Sequence, residues 1–178
     1  MGHNNGFLID LGGVVYQGDA LIGGSAEAIA RLREAGKPFR FLTNTTSAPR
    51  RSIVEKLANL GVVIEPEHVF TPAMAARHLI IERGLGPHFL VNAALMEDFR
   101  DLPEGDEPSV IIGDAGEGFT YQALNSAFRL LEDGAEFIAL AKNRKFAGPD
   151  GRICLDAGAF VAALEYASGR EAEVIGKP

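Results

Sequence analysis

Side chains suited to phosphate chemistry follow three separate apolar runs of the sequence. Asp10 ends one run and opens a glycine turn, Thr43 and Asn44 follow a second run, and Lys177 follows a third. Apolar runs that end in glycines or polar residues are typical of buried strands that break into turns. Because α/β sheets bind ligands at the carboxyl ends of their strands, one carboxylate, one hydroxyl and one cation there predict a phosphate site.

Each of these residue types suits one part of phosphoryl transfer. A carboxylate such as Asp10 can attack phosphorus to give an aspartyl-phosphate, and it can also bind Mg²⁺. Gly12 and Gly13 let backbone amides approach a phosphate closely, and the hydroxyl and amides at Thr43 and Asn44 suit an anion. The alternatives are structural: Asp10 as a turn cap, Thr43 and Asn44 as a loop and helix cap, and Lys177 as a solvated loop residue.

Composition favours an ordinary globular chain. The 178 residues are 47% hydrophobic and carry a net charge of −7, without the basic patch that a nucleic-acid partner needs. No apolar stretch approaches the ~18 residues that span a bilayer, and the N-terminus lacks the features of a signal peptide. The single cysteine excludes an intrachain disulfide and suits a reducing compartment, so we expect a cytoplasmic location without membrane or nucleic-acid partners.

Strands alternate with helices along the whole chain, which predicts a parallel α/β architecture. Ser25 is predicted as the N-cap of the first helix, and Asp150-Gly151 as a tight turn between short strands. The predicted strands cover residues 7–10, 39–42, 68–71, 88–91, 109–112, 137–141 and 173–175. The predicted helices cover residues 26–35, 49–60, 72–83, 95–100, 121–133 and 159–167.

The three motifs together resemble those of the haloacid dehalogenase-like phosphatases: Leu8–Val14, Phe41–Asn44 and Val174–Pro178. A cap inserted between the second and third motifs resembles the subfamily of nitrophenylphosphatases and NagD-type nucleotidases. Residues 112–122 and 160–167 are similar to the phospholysine phosphohistidine inorganic pyrophosphate phosphatases and their close hydrolase relatives. The resemblance implies a Rossmann-like parallel sheet core with an inserted α/β cap: residues 1–75 in the core, 76–170 in the cap, and 171–178 returning to the core.

The resemblance also implies a role for each motif residue. Asp10 is expected to be the nucleophile and a Mg²⁺ ligand, with the Gly12 carbonyl as a further ligand. Thr43 and Asn44, with the glycine turn at Gly13, are expected to bind the phosphate, and Lys177 to orient nucleophile and phosphate. The implied reaction is Mg²⁺-dependent hydrolysis of a small phosphomonoester, a phosphoramidate or pyrophosphate, and the implied assembly is a homodimer through the cap.

Two departures from the family pattern favour an alternative interpretation. Gly12 stands where many relatives carry a second Asp that acts as general acid and base. The family's fourth motif, an acidic pair that completes the Mg²⁺ site, has no counterpart. The chain is then a fragment of a longer protein, is completed by a partner, or is not a competent catalyst; we expect the fragment, with its first strand as an exposed sheet edge. The alternative function is a catalytically incompetent module that binds a phosphate ligand or a protein.

Overall fold

A computed structural model describes residues 6–148 and 150–177. The chain forms two compact units. Unit 1 contains the described residues up to Thr43 together with Arg50–Thr71, and unit 2 contains Asn44–Pro49 together with the described residues from Pro72 onward. The predicted division into residues 1–75, 76–170 and 171–178 stays a prediction.

Unit 1 is built on a parallel sheet of three strands in the order β1-β4-β5. A short antiparallel hairpin, β2-β3, follows the glycine turn. The strands are β1 (Phe7–Asp10), β2 (Tyr16–Gln17), β3 (Ala20–Leu21), β4 (Phe39–Leu42) and β5 (Val69–Phe70), and the helices are α1 (Ser25–Glu34), α2 (Arg50–Asn59) and a 3₁₀ turn at Pro66–His68.

The core of unit 1 lies beneath strand β4. Phe39 and Phe41 are buried and pack edge to face with ring centroids 5.5 Å apart, while Arg40 between them is exposed. This alternation follows from the two-residue period of side chains along a strand. Strand β1 lies at the sheet edge, where Phe7 is 45% and Leu8 73% exposed, which confirms the expected apolar edge.

Unit 2 is built on a second parallel sheet, with four strands in the order β11-β8-β7-β6. A separate antiparallel pair, β9 and β10, is joined through the predicted turn at Asp150-Gly151. The strands are β6 (Leu85–Leu90), β7 (Glu107–Ile112), β8 (Glu136–Ala139), β9 (Lys145–Ala147), β10 (Ile153–Leu155) and β11 (Glu173–Val174). The helices are α3 (Pro72–Arg83), α4 (Tyr121–Glu132) and α5 (Ala157–Ser168), with 3₁₀ segments at Ala93–Phe99 and Gly116–Gly118.

Buried aliphatic residues of the central strands hold unit 2 together. Val110, Ile111 and Ile112 on β7 are fully buried, since both faces of this inner strand are covered. Continuous apolar runs of this kind are typical of parallel sheets with helices on both faces. The predicted α/β class with parallel sheets is therefore confirmed.

Three local predictions differ from the structure. Ser25 is the first residue of α1 and not its N-cap: Gly24 precedes the helix at φ 82°, and the Ser25 hydroxyl instead donates to the Val15 carbonyl at 3.0 Å. The predicted helix at residues 95–100 is a 3₁₀ segment that starts at Ala93, because the Asn92 side chain accepts from the Ala94 amide. Strand β6 begins at Leu85, earlier than predicted, and tolerates Pro87 because it is an edge strand.

Among the described residues, no helix has both the length and the apolar character needed to cross a bilayer.

Candidate active site

Polar residues stand at the carboxyl ends of all three strands of the unit 1 sheet. Asp10 is the last residue of β1 and pairs in register with Leu42, the residue before Thr43. Thr71 directly follows β5 and is a buried polar residue. The sequence analysis did not predict it as a site residue. Because the strands are parallel, these residues all lie at the carboxyl ends of the strands, which is where α/β folds bind ligands.

The carboxylate of Asp10 is exposed and is oriented by the backbone that follows it. Its Oδ1 accepts a hydrogen bond from the Leu11 amide at 2.7 Å. Leu11 is fully buried, and its carbonyl accepts from the amides of Val15 at 2.9 Å and Tyr16 at 3.2 Å. The turn after β1 is therefore anchored in the core of unit 1 while the carboxylate faces outward.

The two glycines of this turn differ in conformation and in surroundings. Gly13 has φ 78°, a left-handed conformation that favours glycine, and its amide donates to the Tyr16 carbonyl at 2.8 Å. Gly12 has no positive φ, and a Cβ added to it would meet nothing within 4 Å. Phosphate binding at Gly13 and metal binding at Gly12 stay predictions.

Thr43 is buried at the end of β4, and its amide donates to the Phe70 carbonyl at 3.3 Å. This bond extends the pairing of β4 with β5 by one residue beyond the strand. The backbone of Thr43 is thus held by its neighbouring strand, which fixes the position of its Cα and so the reach of its hydroxyl group.

A cluster of Tyr16, Asp19 and Lys56 lies in the same unit, and the sequence analysis missed it. The Lys56 Nζ atom is 3.0 Å from Asp19 Oδ1 and 4.8 Å from the centroid of the Tyr16 ring. Burial raises the pKa of the Tyr16 hydroxyl, the Lys56 charge opposes this rise, and the Asp10 charge adds to it. A tyrosine just after a glycine turn is a weak local signal that could have pointed to this cluster.

Asn44 and Lys177 are placed in unit 2. The Asn44 side chain accepts from the Lys177 amide at 2.7 Å and donates to the Lys177 carbonyl at 3.0 Å. Strand β11, which leads to Lys177, is held to β8 by the Arg83 guanidinium, whose Nη1 lies 2.8 Å from both Glu136 and Glu173. The predicted residues thus fall into two groups, Asp10, Gly12, Gly13 and Thr43 in unit 1 and Asn44 with Lys177 in unit 2.

Metal-binding potential rests on oxygen donors rather than on a cluster of ligating side chains. Within residues 6–148 and 150–177, no group of three or more His, Cys, Asp or Glu side chains is arranged to hold a metal ion. The exposed Asp10 carboxylate and the Gly12 carbonyl are donors of the type that Mg²⁺ prefers, and open space lies beside Gly12. By donor type these two residues fit a Mg²⁺ ion.

An exposed carboxylate ends one strand of this parallel sheet and threonines follow the two other strands, an arrangement found in α/β proteins that bind a ligand at the carboxyl ends of their strands. The family model for haloacid dehalogenase-like hydrolases matches residues 7–102. The chain belongs to the haloacid dehalogenase-like hydrolase family, which confirms the resemblance of its motifs.

Individual relatives and structures agree with this assignment. Haloacid dehalogenase-like hydrolase domain-containing protein 2 of Rattus norvegicus is 45% identical over 171 residues, which cover 96% of this chain and 66% of the relative. The phospholysine phosphohistidine inorganic pyrophosphate phosphatase of the same species is 42% identical over 179 aligned residues, which cover 97% of this chain and 66% of the relative. The structure of 4-nitrophenylphosphatase from Thermotoga maritima superposes with a TM-score of 0.85 at 29% identity and covers 96% of this chain and 67% of that one. The chain therefore spans 66% of the length of these two curated relatives.

Proposed function

We propose that this chain carries the nucleophile of a Mg²⁺-dependent phosphatase that acts through an aspartyl-phosphate. The observation that carries the proposal is the exposed Asp10 carboxylate at the end of β1, oriented by the Leu11 amide. The proposed substrates are small phosphomonoesters, phosphoramidates or pyrophosphate. The last two classes correspond to the name of the rat relative, a phospholysine phosphohistidine inorganic pyrophosphate phosphatase.

In the first step, a carboxylate oxygen of Asp10 attacks phosphorus, and the bond from phosphorus to the leaving group breaks. The leaving group departs with the electron pair, and the phosphoryl group stays on Asp10 as a mixed anhydride. Water then attacks the same phosphorus and the bond to Asp10 breaks, which yields inorganic phosphate and restores the carboxylate. The water's protons pass to the phosphate and the solvent.

The remaining site residues would bind charge and hold geometry. The Thr43 hydroxyl and the backbone amide of Asn44 would bind the phosphate, and Lys177 would offset the charge that the nucleophile and phosphate bring together. The carboxylate of Asp10 and the carbonyl of Gly12 would hold Mg²⁺, which supplies positive charge to the phosphate oxygens. Positioning and charge neutralisation of this kind account for most catalysis of phosphoryl transfer.

Gly12 limits the leaving groups that this site could release. A glycine transfers no proton, so the leaving group must depart as a stable anion or take its proton from another donor. Nitrophenolate and phosphate are stable leaving anions, whereas an alkoxide is not. We therefore expect aryl phosphates and pyrophosphate to be better substrates than alkyl phosphates.

Several features of the whole protein belong to this proposal. The α/β unit between the second and third motifs would serve as a cap that encloses the substrate and selects the leaving group. The partner would be a small phosphorylated molecule, the assembly a homodimer through the cap, and the location cytoplasmic. We propose no nucleic-acid or membrane partner.

A second candidate function is phosphate-ligand or protein binding without turnover. It is favoured by Gly12 and by the lack, among the described residues, of an acidic cluster that would complete a metal site. In that case the Asp10 carboxylate would serve in recognition and would never become phosphorylated.

Hydrolysis of p-nitrophenyl phosphate by this chain tests the proposal, with Mg²⁺, with EDTA, and with the Asp10→Asn variant. We expect Mg²⁺-dependent turnover that Asp10→Asn lowers by roughly 10³-fold or more, the scale on which loss of a nucleophile acts. Equal turnover in wild type and variant would contradict the role of Asp10 as nucleophile, and no turnover in either would favour the binding function. Trapping of a phosphorylated Asp10 by mass spectrometry would identify the nucleophile directly.

A further inference from the structure

The side-chain amide of Asn44 pairs with both backbone groups of one distant residue. Its Oδ1 accepts from the Lys177 amide at 2.7 Å, and its Nδ2 donates to the Lys177 carbonyl at 3.0 Å, across a separation of 133 residues in the sequence. The pairing reproduces the donor and acceptor pattern that one strand presents to its neighbour. Because the Lys177 N–H must face an oxygen and the Lys177 carbonyl must face a donor, the orientation of the Asn44 side-chain amide is fixed.

The chain that leads to Lys177 lies too close to its neighbours to shift freely. The Ile175 amide donates to the Ala139 carbonyl at 3.0 Å, which extends β11 beyond its last residue. A Cβ added to Gly176 would lie 2.4 Å from the Leu140 carbonyl oxygen and 3.2 Å from Asn44 Oδ1. The glycine therefore permits the close approach that brings the Lys177 backbone to the Asn44 amide.

The segment that carries Asn44 is itself anchored within unit 2. The buried Thr46 hydroxyl accepts from the Asp114 amide at 3.2 Å, just beyond the end of β7. The segment that carries Asn44 is therefore held in place at Thr46, two residues further along the chain. Both sides of the Asn44–Lys177 pair are held by the same sheet of unit 2.

We propose that Asn44 is a positioning residue, whose side chain fixes the main chain of Lys177 and so sets the place of its ammonium group. A lysine carries its charge on a flexible four-carbon stem, so the position of its Cα limits where the charge can act. The proposal rests on the proposed function, since it takes Lys177 to act on the phosphate. The hydrogen-bonded pair itself is independent of any activity.

Amide hydrogen exchange at Lys177, followed by NMR, tests the pair without reference to catalysis. Asn44→Ala removes both hydrogen bonds, and we expect exchange at the Lys177 amide to rise by at least about fivefold. The matched control is Asn92→Ala, which removes another side-chain hydrogen bond of unit 2, the one to the Ala94 amide. Unchanged exchange in Asn44→Ala, or an equal rise in both variants, would overturn the proposal.

A double-mutant cycle with p-nitrophenyl phosphate tests the positioning role. We expect Asn44→Ala to lower kcat by about ten- to a hundredfold with a smaller effect on KM, because a displaced charged group stabilises the transition state less. In a Lys177→Arg background, which keeps a cation at this position, Asn44→Ala should lower kcat by a much smaller factor than it does in the wild type. Fully additive losses would mean that the Asn44 side chain acts independently of Lys177, and would overturn the proposal.

The two measurements separate this inference from the proposed function. A wild-type chain without turnover contradicts the proposed function, and exchange at Lys177 then decides alone whether Asn44 fixes its backbone. Asn44→Asp, which has the same size, serves if Asn44→Ala does not fold. It keeps an acceptor for the Lys177 amide and sets a carboxylate oxygen against the Lys177 carbonyl, so the loss of turnover should persist.

Discussion

Gly12 is the residue that most restricts the chemistry of this site. It lies two residues after the proposed nucleophile, at the position where many members of the family carry a general acid. Its backbone has no positive φ, and a Cβ there would meet nothing within 4 Å. The structure therefore tolerates a side chain at this position, so the missing proton donor can be restored without strain.

Gly12→Asp is expected to raise hydrolysis of an alkyl phosphate, whose leaving group needs a proton, by up to roughly 10²-fold, the lower end of what a general acid contributes. Hydrolysis of p-nitrophenyl phosphate should change much less, because nitrophenolate leaves without a proton. The ratio of kcat/KM for the two substrates measures the effect.

The matched control for this change is Gly12→Asn, which has the same shape and transfers no proton. An equal gain in both variants would mean that the added side chain acts through contacts. No gain in Gly12→Asp would mean that proton transfer does not limit turnover.

At the scale of elements, Glu165 on α5 connects three parts of unit 2. Its carboxylate lies 2.7 Å from Lys142 Nζ, in the chain after β8, and accepts from the Ala172 amide at 3.0 Å, just before β11. Burial acts to raise the pKa of Glu165, but the hydrogen bonds from Lys142 and Ala172 outweigh it, so the pKa lies below its ordinary value of 4.5.

A carboxyl group with a lowered pKa in the folded state stabilises the fold when it is ionised. Its contribution is complete above pH 4.5, the ordinary pKa, and is lost as the pH falls through the lower pKa of the folded state. Glu165→Gln should therefore lower the free energy of unfolding at pH 7 by roughly 0.5–1 kcal/mol, since the ion pair is partly solvated. The difference in the free energy of unfolding between wild type and variant should become smaller as the pH falls below 4.5.

Urea unfolding at several pH values measures this difference, with Glu132→Gln on the exposed face of α4 as the control. We expect the control to differ little from wild type at every pH. If the loss of unfolding free energy in Glu165→Gln is the same at pH 7 and below pH 4.5, the charge of Glu165 is not what stabilises unit 2.

At the scale of the whole molecule, the exposed edge of the unit 1 sheet is a surface through which chains could pair. Leu8 is 73% exposed on the edge strand β1, and an apolar edge is a template for pairing with another chain. We expect the chain to self-associate with rising concentration, and Leu8→Lys to shift the population toward monomer. Sedimentation velocity over a concentration series measures this shift.

Val63→Lys provides the comparison, because Val63 is 66% exposed but lies outside the strands. It adds the same charge to unit 1 without touching the edge. Equal effects of the two variants would contradict edge pairing and indicate a general effect of charge. A dimer that persists in Leu8→Lys would be the outcome expected of association through the proposed cap.

The sequence by itself determined the α/β class, the alternation of the main strands and helices, and the position of Asp10 and Thr43 at strand ends, but not the short β2-β3 hairpin. These features depend on local patterns, such as apolar runs, glycine stops and helical spacing, and the structure reproduces β1, β4 and α3 at the predicted residues. Family membership also followed from sequence, because its motifs are short and contiguous.

Only the tertiary structure decided which partners the polar groups take. Asn44 pairs with Lys177 across 133 residues, Lys56 with Asp19 across 37, and the Gly13 amide is used by the Tyr16 carbonyl. The Ser25 hydroxyl likewise binds the Val15 carbonyl instead of capping its helix. A hydrogen bond depends on where the folded backbone places two groups, and residue type and local spacing do not specify that placement for distant parts of the chain.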